Sequence, residues 1–439
     1  MNVSRTLLLF SGLVMVPFCT PAQNVPTAAS PSIPSFSSSP AADELTYSLS
    51  ASESMLFNYN GNDGTYSSTN LSGEAAYVSG SQYHPTSFVY SGGYMFGNQP
   101  TQPDGTFQNF GISQVINARR FSLVLGDLVN YLPAAPVFGL SGVPGVGDVG
   151  AIPIGVGDVP SGSIFTQYGR RVTNTASVGL SPKLTGSTSL NLFGAYTIQR
   201  FLDVGQDNDD LEGSASLMHR IDARNNAGVG YSYSQFRYRD SPGSFLTFAT
   251  GSISMKAQGV NVQYEHVFTR KLSASISAGP QWIDSTDHAA IPSRTNVSAI
   301  VSVQYTARMS NASLSYHRGA NPGSGVLLGT VSDDVNFTAQ HTFTRNWGGG
   351  FSANYSHASS LGTIAGDSTG INSVYIGVQA RRRLGEHFST YASYNLQRQT
   401  IHLAPLAATT TPLNAFSGTG HILGFGITFT PDPLHLRHQ

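Results

Sequence analysis

The sequence predicts an all-β protein, a transmembrane antiparallel up-and-down β-barrel of about 18 strands (16–18) with short periplasmic turns and long extracellular loops. Three observations support this fold class. Segments of about ten residues alternate apolar and small polar side chains between residues 44 and 430, which is the two-residue period of a β-strand. Short and long connections alternate between these segments. Only 11% of the 439 residues are charged.

Composition excludes several other classes of protein. The formal net charge is −1, so the chain lacks the excess of cations that nucleic-acid binding requires. With 40% hydrophobic residues, it is too apolar for a charge-rich disordered chain. Its mean hydropathy of −0.09 is too low for a protein built from membrane-spanning helices.

Residues 1–22 are predicted to be a secretory signal peptide. Arg5 supplies the positive charge, residues 6–18 form a short apolar stretch, and small residues precede a cleavage site after Ala22. The apolar stretch is too short to span a bilayer. Cys19 is the single cysteine and lies inside this segment, so the mature chain is expected to have no disulfide.

The remainder of the chain is predicted to have three parts. Residues 23–43 are rich in Ser, Pro and Ala and cannot form a core, so they are either a flexible periplasmic tether or a leader without a role. Residues 44–430 form the barrel. Residues 431–439 form a C-terminal tail.

The alternation is clear in the segment 294–307. One face carries Val297, Ala299, Val301, Val303 and Tyr305, while the other carries Ser298, Ser302, Gln304 and Thr306, with Ile300 as an exception. A soluble sandwich also alternates, but its outer face is rich in charged residues. The polar face here consists of Ser, Asn, Gln, Thr and Gly, which favours a confined aqueous lumen. The pattern therefore favours a barrel over a sandwich, a propeller or a β-helix.

The lengths of the connections support the same fold. Short turns are predicted at 182–187, 221–225, 269–271, 307–309, 345–346 and 385–386. Longer loops are predicted at 60–69, 97–106, 129–171, 200–209, 239–255, 284–293, 319–331, 358–370 and 399–417. Short turns on one side and long loops on the other are typical of a transmembrane barrel, and an even number of strands leaves both termini on the periplasmic side.

Aromatic residues cluster at the predicted strand ends. Phe268, Phe343 and Phe429 come just before a turn or the end of a strand, and Trp347 and Phe388 begin strands. Aromatic side chains are good strand formers in general, but their position beside the short turns favours a girdle at the membrane interface.

A weak internal repeat links two of these corners. His-Val-Phe-Thr-Arg at 266–270 recurs as His-Thr-Phe-Thr-Arg at 341–345, after 75 residues. That spacing equals two predicted hairpins, so equivalent turn corners explain the repeat without a shared ligand site.

With these features, residues 44–430 resemble Gram-negative outer-membrane β-barrels, and porin-like barrels in particular. The resemblance implies an integral outer-membrane location and contact with outer-membrane lipid and lipopolysaccharide. In that class the final strand is the signal that the barrel-assembly machinery recognises, and the matching positions are Gly424, Ile427 and Phe429. Residues 430–439 follow the aromatic residue, which departs from the usual pattern. General porins are trimers, so the resemblance also implies a possible homotrimer.

The longest loop, 129–171, repeats Gly-Val-Gly-Asp-Val at 145–149 and 155–159. In general porins the loop after the fifth strand folds inward and narrows the channel, and the resemblance implies this role here. The alternative is a mobile external loop. The candidate constriction residues are Asp148, Asp158, Arg170 and Arg171.

The alternation also predicts which polar side chains line a pore. Because these candidates are few and include both signs of charge, we expect weak ion selectivity. The pore-lining candidates are Glu74, Glu212, Arg220, Glu265, Gln340, Asn354, Arg381 and Arg383.

No catalytic, cofactor or metal site is predicted. Residues 203–212 contain several aspartates but lack the spacing of an EF-hand, so a solvated acidic loop is preferred over a Ca²⁺ site. The Gly-x-Ser-x-Gly match at 366–370 lacks the strand–turn–helix context of a hydrolase nucleophile. His435 and His438 have no third ligand nearby.

The predicted function is therefore an outer-membrane channel that passes small polar solutes with weak selectivity. One alternative is an export barrel for an exopolysaccharide or another polymer. A second is a structural or adhesive barrel without transport. An enzyme is disfavoured because no nucleophile, base and carboxylate converge.

Overall fold

We describe the protein from a computed structural model. It describes residues 43–57, 65–79, 81, 83–97, 104–132, 170–202, 206–240, 251–322, 327–362, 370–402 and 417–435. The predicted signal peptide and tether up to residue 42, most of the loop 129–171, residues 366–369 of the Gly-x-Ser-x-Gly match, and His438 lie outside the described residues.

The secondary structure is dominated by long β-strands. No α-helix in the described ranges is long and apolar enough to cross a membrane. The strands are β1 Glu44–Phe57, β2 Thr65–Val78, β3 Thr86–Gly97, β4 Gly105–Asn117, β5 Phe121–Leu132, β6 Arg171–Pro182, β7 Thr188–Phe201, β8 Asp207–Arg220, β9 Asn225–Arg239, β10 Ser252–Thr269, β11 Leu272–Ser285, β12 Arg294–Thr306, β13 Ser310–Asn321, β14 Thr330–Thr342, β15 Trp347–Ser360, β16 Gly370–Arg383, β17 Phe388–His402, β18 Gly418–Phe429 and β19 Leu434–His435.

The first eighteen strands form a closed barrel. Each strand pairs antiparallel with the next, and β18 pairs antiparallel with β1 from Leu49↔Phe429 to Phe57↔His421. Closure leaves no unpaired sheet edge, which is the condition for placing strands in lipid. The short β19 pairs with Glu44 and Leu45, so part of the predicted tail continues the wall. The predicted fold class, an all-β up-and-down barrel of 18 strands, is confirmed.

The strand pairing sorts side chains onto two faces. Side chains on the convex face of a curved sheet diverge and are exposed, whereas those on the concave face converge. Val262 is 65% exposed on the convex face, and Gln397 is fully buried on the concave face. Val301 pairs with convex residues of both neighbouring strands, while the exception Ile300 pairs with His317 on the concave face. The apolar face of the sequence pattern is therefore the outer one.

Side-chain oxygens close several of the short turns. Thr185, Thr269 and Thr344 each accept hydrogen bonds from two backbone N–H groups that follow within three residues. Asp222 accepts from the N–H groups of Arg224 and Asn225 at 2.7 and 2.9 Å. Donation from the Arg224 N–H, and then from the Asn225 side chain, lowers the pKa of Asp222. These turns use the Asx and ST geometry, which supplies the backbone with a local partner.

The internal repeat marks two such corners. The ring of His266 meets Phe268 edge-on at 4.4 Å, and His341 meets Phe343 in the same way at 4.9 Å. Both pairs lie on the convex face next to a turn closed by threonine. The girdle continues at Phe388, whose ring lies 5.1 Å from that of Phe429.

Several strands extend further at their long-loop ends than the pattern predicts. β2 begins at Thr65 and β10 at Ser252, inside the predicted loops 60–69 and 239–255. The prediction of a solvated acidic loop is wrong for the part that the structure describes, because β8 begins at Asp207 and the next three residues are buried. Pairing with β7 and β9 holds these polar residues in a strand, a tertiary contact that local composition does not reveal.

Candidate functional site

The candidate functional site is the space enclosed by the strands. Eighteen strands about 4.8 Å apart and tilted by about 40° form a wall about 35 Å across, which is too wide for side chains alone to fill. The concave face is lined mainly by small polar groups. Hydroxyls on neighbouring strands bond to each other there, as in Ser54 with Ser68 at 2.9 Å and Ser275 with Ser302 at 2.8 Å.

The strand pairing places all eight pore-lining candidates on the concave face. Glu265 accepts a hydrogen bond from Asn226 at 3.0 Å, and Arg381 donates to Ser389 at 3.1 Å. Arg220 and Arg383 lie beside short turns and donate to turn carbonyls. The remaining candidates pair with concave residues on both sides: Glu74 with Ser48 and Ser91, Glu212 with Ala195 and Ser234, Gln340 with Asn311 and Gly350, and Asn354 with Asn336 and Tyr375. Their role in permeation stays a prediction.

Two of the four constriction-loop candidates lie within the residues that the structure describes. Asp148 and Asp158 lie outside the described residues. Arg170 is exposed, and Arg171 begins β6 opposite Leu132 and Phe201. Arg171 shares the register of the concave face, but the function of the loop itself stays a prediction.

The assembly-signal candidates are placed within the closing strand. Gly424 pairs with Ser54 and Ser393 on the concave face. Ile427 and Phe429 lie on the convex face, where Ile427 is 44% exposed. Recognition by the assembly machinery stays a prediction.

An apolar cluster fills part of the lumen at the long-loop end, and we call it the seal. Its side chains lie on the concave face of β9–β11 and on three connecting segments, where the alternation predicts polar residues. They are almost fully excluded from solvent, which makes this the main apolar core of the described chain. Its members are Phe236, Tyr238, Ile253, Met255, Ala257, Ile283, Ala290, Ile291, Leu328 and Leu361.

A hairpin tip that lies inside the barrel wall completes the seal. Pairing between β12 and β13 stops at Ala299↔Arg318, although β13 continues to Asn321. Beyond that point Ala320 and Val331, which occupy the convex side of their own hairpin, pack against the seal. The described part of the tip of the β13–β14 hairpin, residues 319–322 and 327–332, therefore lies inside β9–β12. We call it the tucked hairpin.

The opposite side of the tucked hairpin carries a buried polar network. Asn321 donates to Ser332 at 2.9 Å, and Ser332 donates to Asp334 at 2.6 Å. Ser356 of β15 donates to the second oxygen of Asp334. Each buried hydroxyl or amide here has a hydrogen-bond partner, which offsets its loss of water and fixes the hairpin in one position.

Few features of the sequence indicate the seal. One signal was present, because Phe236, Ile253, Met255 and Ile283 fall on the polar face of their strands. Apolar residues at polar-face positions near the ends of three successive strands indicate that something apolar covers them.

Two arginines enclose the carboxylate of Asp209 on the convex face near the long loops. Its side chain is 4% exposed, and it accepts hydrogen bonds from Arg239 Nε at 2.6 Å and from Arg200. Burial between two guanidinium groups explains why this aspartate belongs to a strand rather than to a solvated loop. In the described ranges, no group of three His, Cys, Asp or Glu side chains is arranged to hold a metal ion.

The geometry defines a class of protein. A closed antiparallel barrel whose convex face exposes Leu, Val, Phe and Tyr, and whose concave face is polar, places its apolar surface in a bilayer. The chain has the architecture of an integral β-barrel of the outer-membrane type, and the bacterial outer membrane stays its predicted location.

Comparisons with known proteins agree with this architecture. No protein-family model and no curated protein matches the sequence. OccK2 (OpdF) of Pseudomonas aeruginosa is similar at 10% identity over 89% of this chain and 99% of that chain, with a TM-score of 0.43. The ferric enterobactin receptor PfeA of the same organism has 8% identity, coverages of 90% and 82% and a TM-score of 0.44. The FrpB iron transporter of Neisseria meningitidis has 7% identity, coverages of 88% and 82% and a TM-score of 0.42. At these scores the class assignment rests on the barrel itself.

Proposed function

We propose that this protein is an outer-membrane channel that passes small polar solutes with weak selectivity. The observation that carries the proposal is the width of the closed wall together with its polar lining, in which hydroxyl and amide groups predominate and the charged residues are few and of both signs. Hydroxyl and amide groups exchange hydrogen bonds with a hydrated solute without holding it strongly, whereas rings of charge would select ions. No catalytic activity is part of the proposal.

The seal makes this a channel whose mouth is partly covered. The apolar cluster and the tucked hairpin occupy the long-loop end beside β9–β11. A gated channel therefore fits the structure better than a permanently open pore. The same cover is compatible with a structural barrel that conducts nothing, and this is the second candidate.

Recording from the full-length protein in planar bilayers tests the proposal. A channel gives discrete conductance steps in potassium chloride, with a small difference between cation and anion permeability. Complete silence, from protein that still shows the heat-dependent gel mobility of a folded barrel, contradicts a channel and favours the structural barrel. Conductance only after deletion of residues 133–169, which lie between β5 and β6, favours a plugged exporter.

A further inference from the structure

One row of directly paired residues crosses nine strands on the concave face; its first eight members are polar, and the ninth, Tyr238, is also a member of the seal. Each residue is the cross-strand partner of the next, so the row is continuous. We call this row the amide track. Its members in order are Ser48, Glu74, Ser91, Asn109, Asn130, Thr173, Gln199, Asn208 and Tyr238.

The neighbouring rows on the same face differ from the track. On one side, the row includes Gly93 and Phe107. On the other side, the row includes several apolar positions, namely Ala76, Val89, Gly111, Leu128 and Phe236. The track is therefore more uniformly polar than the two rows that border it, which mix polar, charged and apolar residues.

The track also rises through the membrane. Ser48 is the fifth residue of β1, close to the periplasmic end, and Tyr238 is the fourteenth of β9, close to the long loops. Eight steps of about 4.8 Å between strands tilted by about 40° raise the row by about 25 Å, which matches the apolar band of an outer-membrane barrel. The next partner after Tyr238 is Ile253, a member of the seal. The track thus leads from the periplasmic side to the seal.

Several amides of the track have polar atoms without a hydrogen-bond partner among the described residues. Asn109 uses its Nδ2 on Ser91 at 3.1 Å, but its Oδ1 is buried and unpaired. The Oδ1 of Asn130 is also unpaired, as are both polar atoms of Asn208, which is 1% exposed. A buried amide without a partner costs free energy, so this row keeps hydrogen-bonding capacity that no described protein group uses.

The chemistry of the row selects the kind of partner. An amide both donates and accepts, and so does an alcohol. Glu74 is the one charged member of the nine. We propose that the amide track is the path along which uncharged, polyhydroxylated solutes, such as saccharides, move through the barrel. As the solute moves along the track, its hydroxyl groups bind in turn to each amide. The solute therefore keeps hydrogen bonds to the protein at every position. This inference rests on the proposed channel function and names its substrate class.

The test compares paired variants of the full-length protein in proteoliposomes. Swelling rates are measured in sucrose and in glycylglycine, an uncharged polyol and a zwitterion, and bilayer conductance is measured in potassium chloride. In the double variant Asn109→Leu/Asn130→Leu we expect sucrose entry to fall about tenfold relative to glycylglycine, because two hydrogen-bonding amides are lost. Conductance in salt should change much less.

A matched pair on one strand supplies the control. Thr173 belongs to the track, and Thr175 lies two residues further along the same face in the adjacent row. Thr173→Val should slow sucrose selectively, and Thr175→Val should not. Gel mobility before and after heating verifies that each variant is folded.

The outcomes separate this inference from the proposed function. If the wild-type protein conducts salt but sucrose and glycylglycine enter at similar rates in all variants, the amide track is overturned and the channel stands. Equal slowing by Thr173→Val and Thr175→Val also overturns it, because a general narrowing would then explain the effect. If the wild-type protein passes neither salt nor solute, the channel itself fails.

Discussion

The backbone N–H of Ala320 donates a hydrogen bond to Oε1 of Gln281 at 3.1 Å, although the two residues belong to β13 and β11. In a simple barrel, β12 would separate them. Their contact exists because the tucked hairpin lies inside the wall, so the concave side of β11 faces the convex side of β13. This hydrogen bond connects the hairpin to the wall beneath it.

Removing this hydrogen bond should loosen the contact between the tucked hairpin and the barrel wall. In Gln281→Leu the N–H of Ala320 loses its partner, which costs about 1 kcal/mol and shifts the hairpin towards release. We expect a several-fold increase in the fraction of time that single channels are open. Gln263→Leu is the matched control, because Gln263 lies on the same face of β10 and bonds Asn261 instead. Equal effects of both variants would contradict a specific role for Gln281.

A side chain at Gly329 should force the seal apart. The residue has φ of +70°, and a Cβ there would lie 2.8 Å from Met255 Sδ and 3.3 Å from Tyr238 Oη. Gly329→Val should raise single-channel conductance or shorten the closed times. Gly251→Val is the control, since Gly251 has the same φ but no atom within 4 Å of an added Cβ. It carries the same backbone strain without touching the seal, and a similar rise in that variant would argue against steric opening.

Asp127 is a carboxylate on the apolar convex face. It pairs with Ile112 and Ala176 and accepts a hydrogen bond from Asn174 at 2.7 Å. If this face meets lipid, Asp127→Leu should raise the free energy of unfolding by about 1 kcal/mol, because charge on the lipid side is costly. Urea unfolding in lipid vesicles measures this change. A loss of stability would instead indicate that Asp127 meets another protein chain, as in an oligomer.

The turn between β8 and β9 should depend on pH. N–H donors lower the pKa of Asp222, so its carboxylate stabilises the fold above the unfolded pKa of about 3.9, and this stabilisation is lost as the pH falls through the lower folded pKa. Asp222→Ala should therefore melt below the wild type at pH 7, with the difference shrinking below about pH 4.

Thr269→Val removes the equivalent hydrogen-bond acceptor from the turn between β10 and β11, and its effect should not vary with pH in this range. Melting of the gel-mobility shift at pH 7 and at pH 3 measures both variants. A pH-independent deficit in Asp222→Ala would contradict the role of the carboxylate.

Much of the barrel is predictable from local pattern because each strand has one apolar and one polar face. The alternation around Val301 determines which side chains meet lipid, and the turn chemistry of Thr269 and Thr344 marks where strands reverse. Strand ends near the long loops were less predictable. Asp207 and Asp209 have the composition of a solvated loop, and only their pairing with β7 and β9 makes them part of a strand.

The seal and the amide track, in contrast, do not follow from local sequence pattern. Phe236 and Ile283 are apolar residues on a polar face, and the cluster that they form packs against the hairpin tip. Asn109 and Asn208 are far apart in sequence, and nothing local relates them. Register across several strands sets both features, because a shift of two residues in one strand would break the row while leaving every local pattern unchanged.

The sequence by itself determined the antiparallel β architecture of about 18 strands (16–18) and its apolar outer surface, because these follow from the alternation of side chains and from turn residues, both of which are local. Only the tertiary structure decided that the tip of the β13–β14 hairpin lies inside the wall and that eight polar side chains align from Ser48 to Asn208 and continue to Tyr238. These depend on non-local pairing, in which the shear of the whole barrel sets the height at which each side chain meets its neighbours.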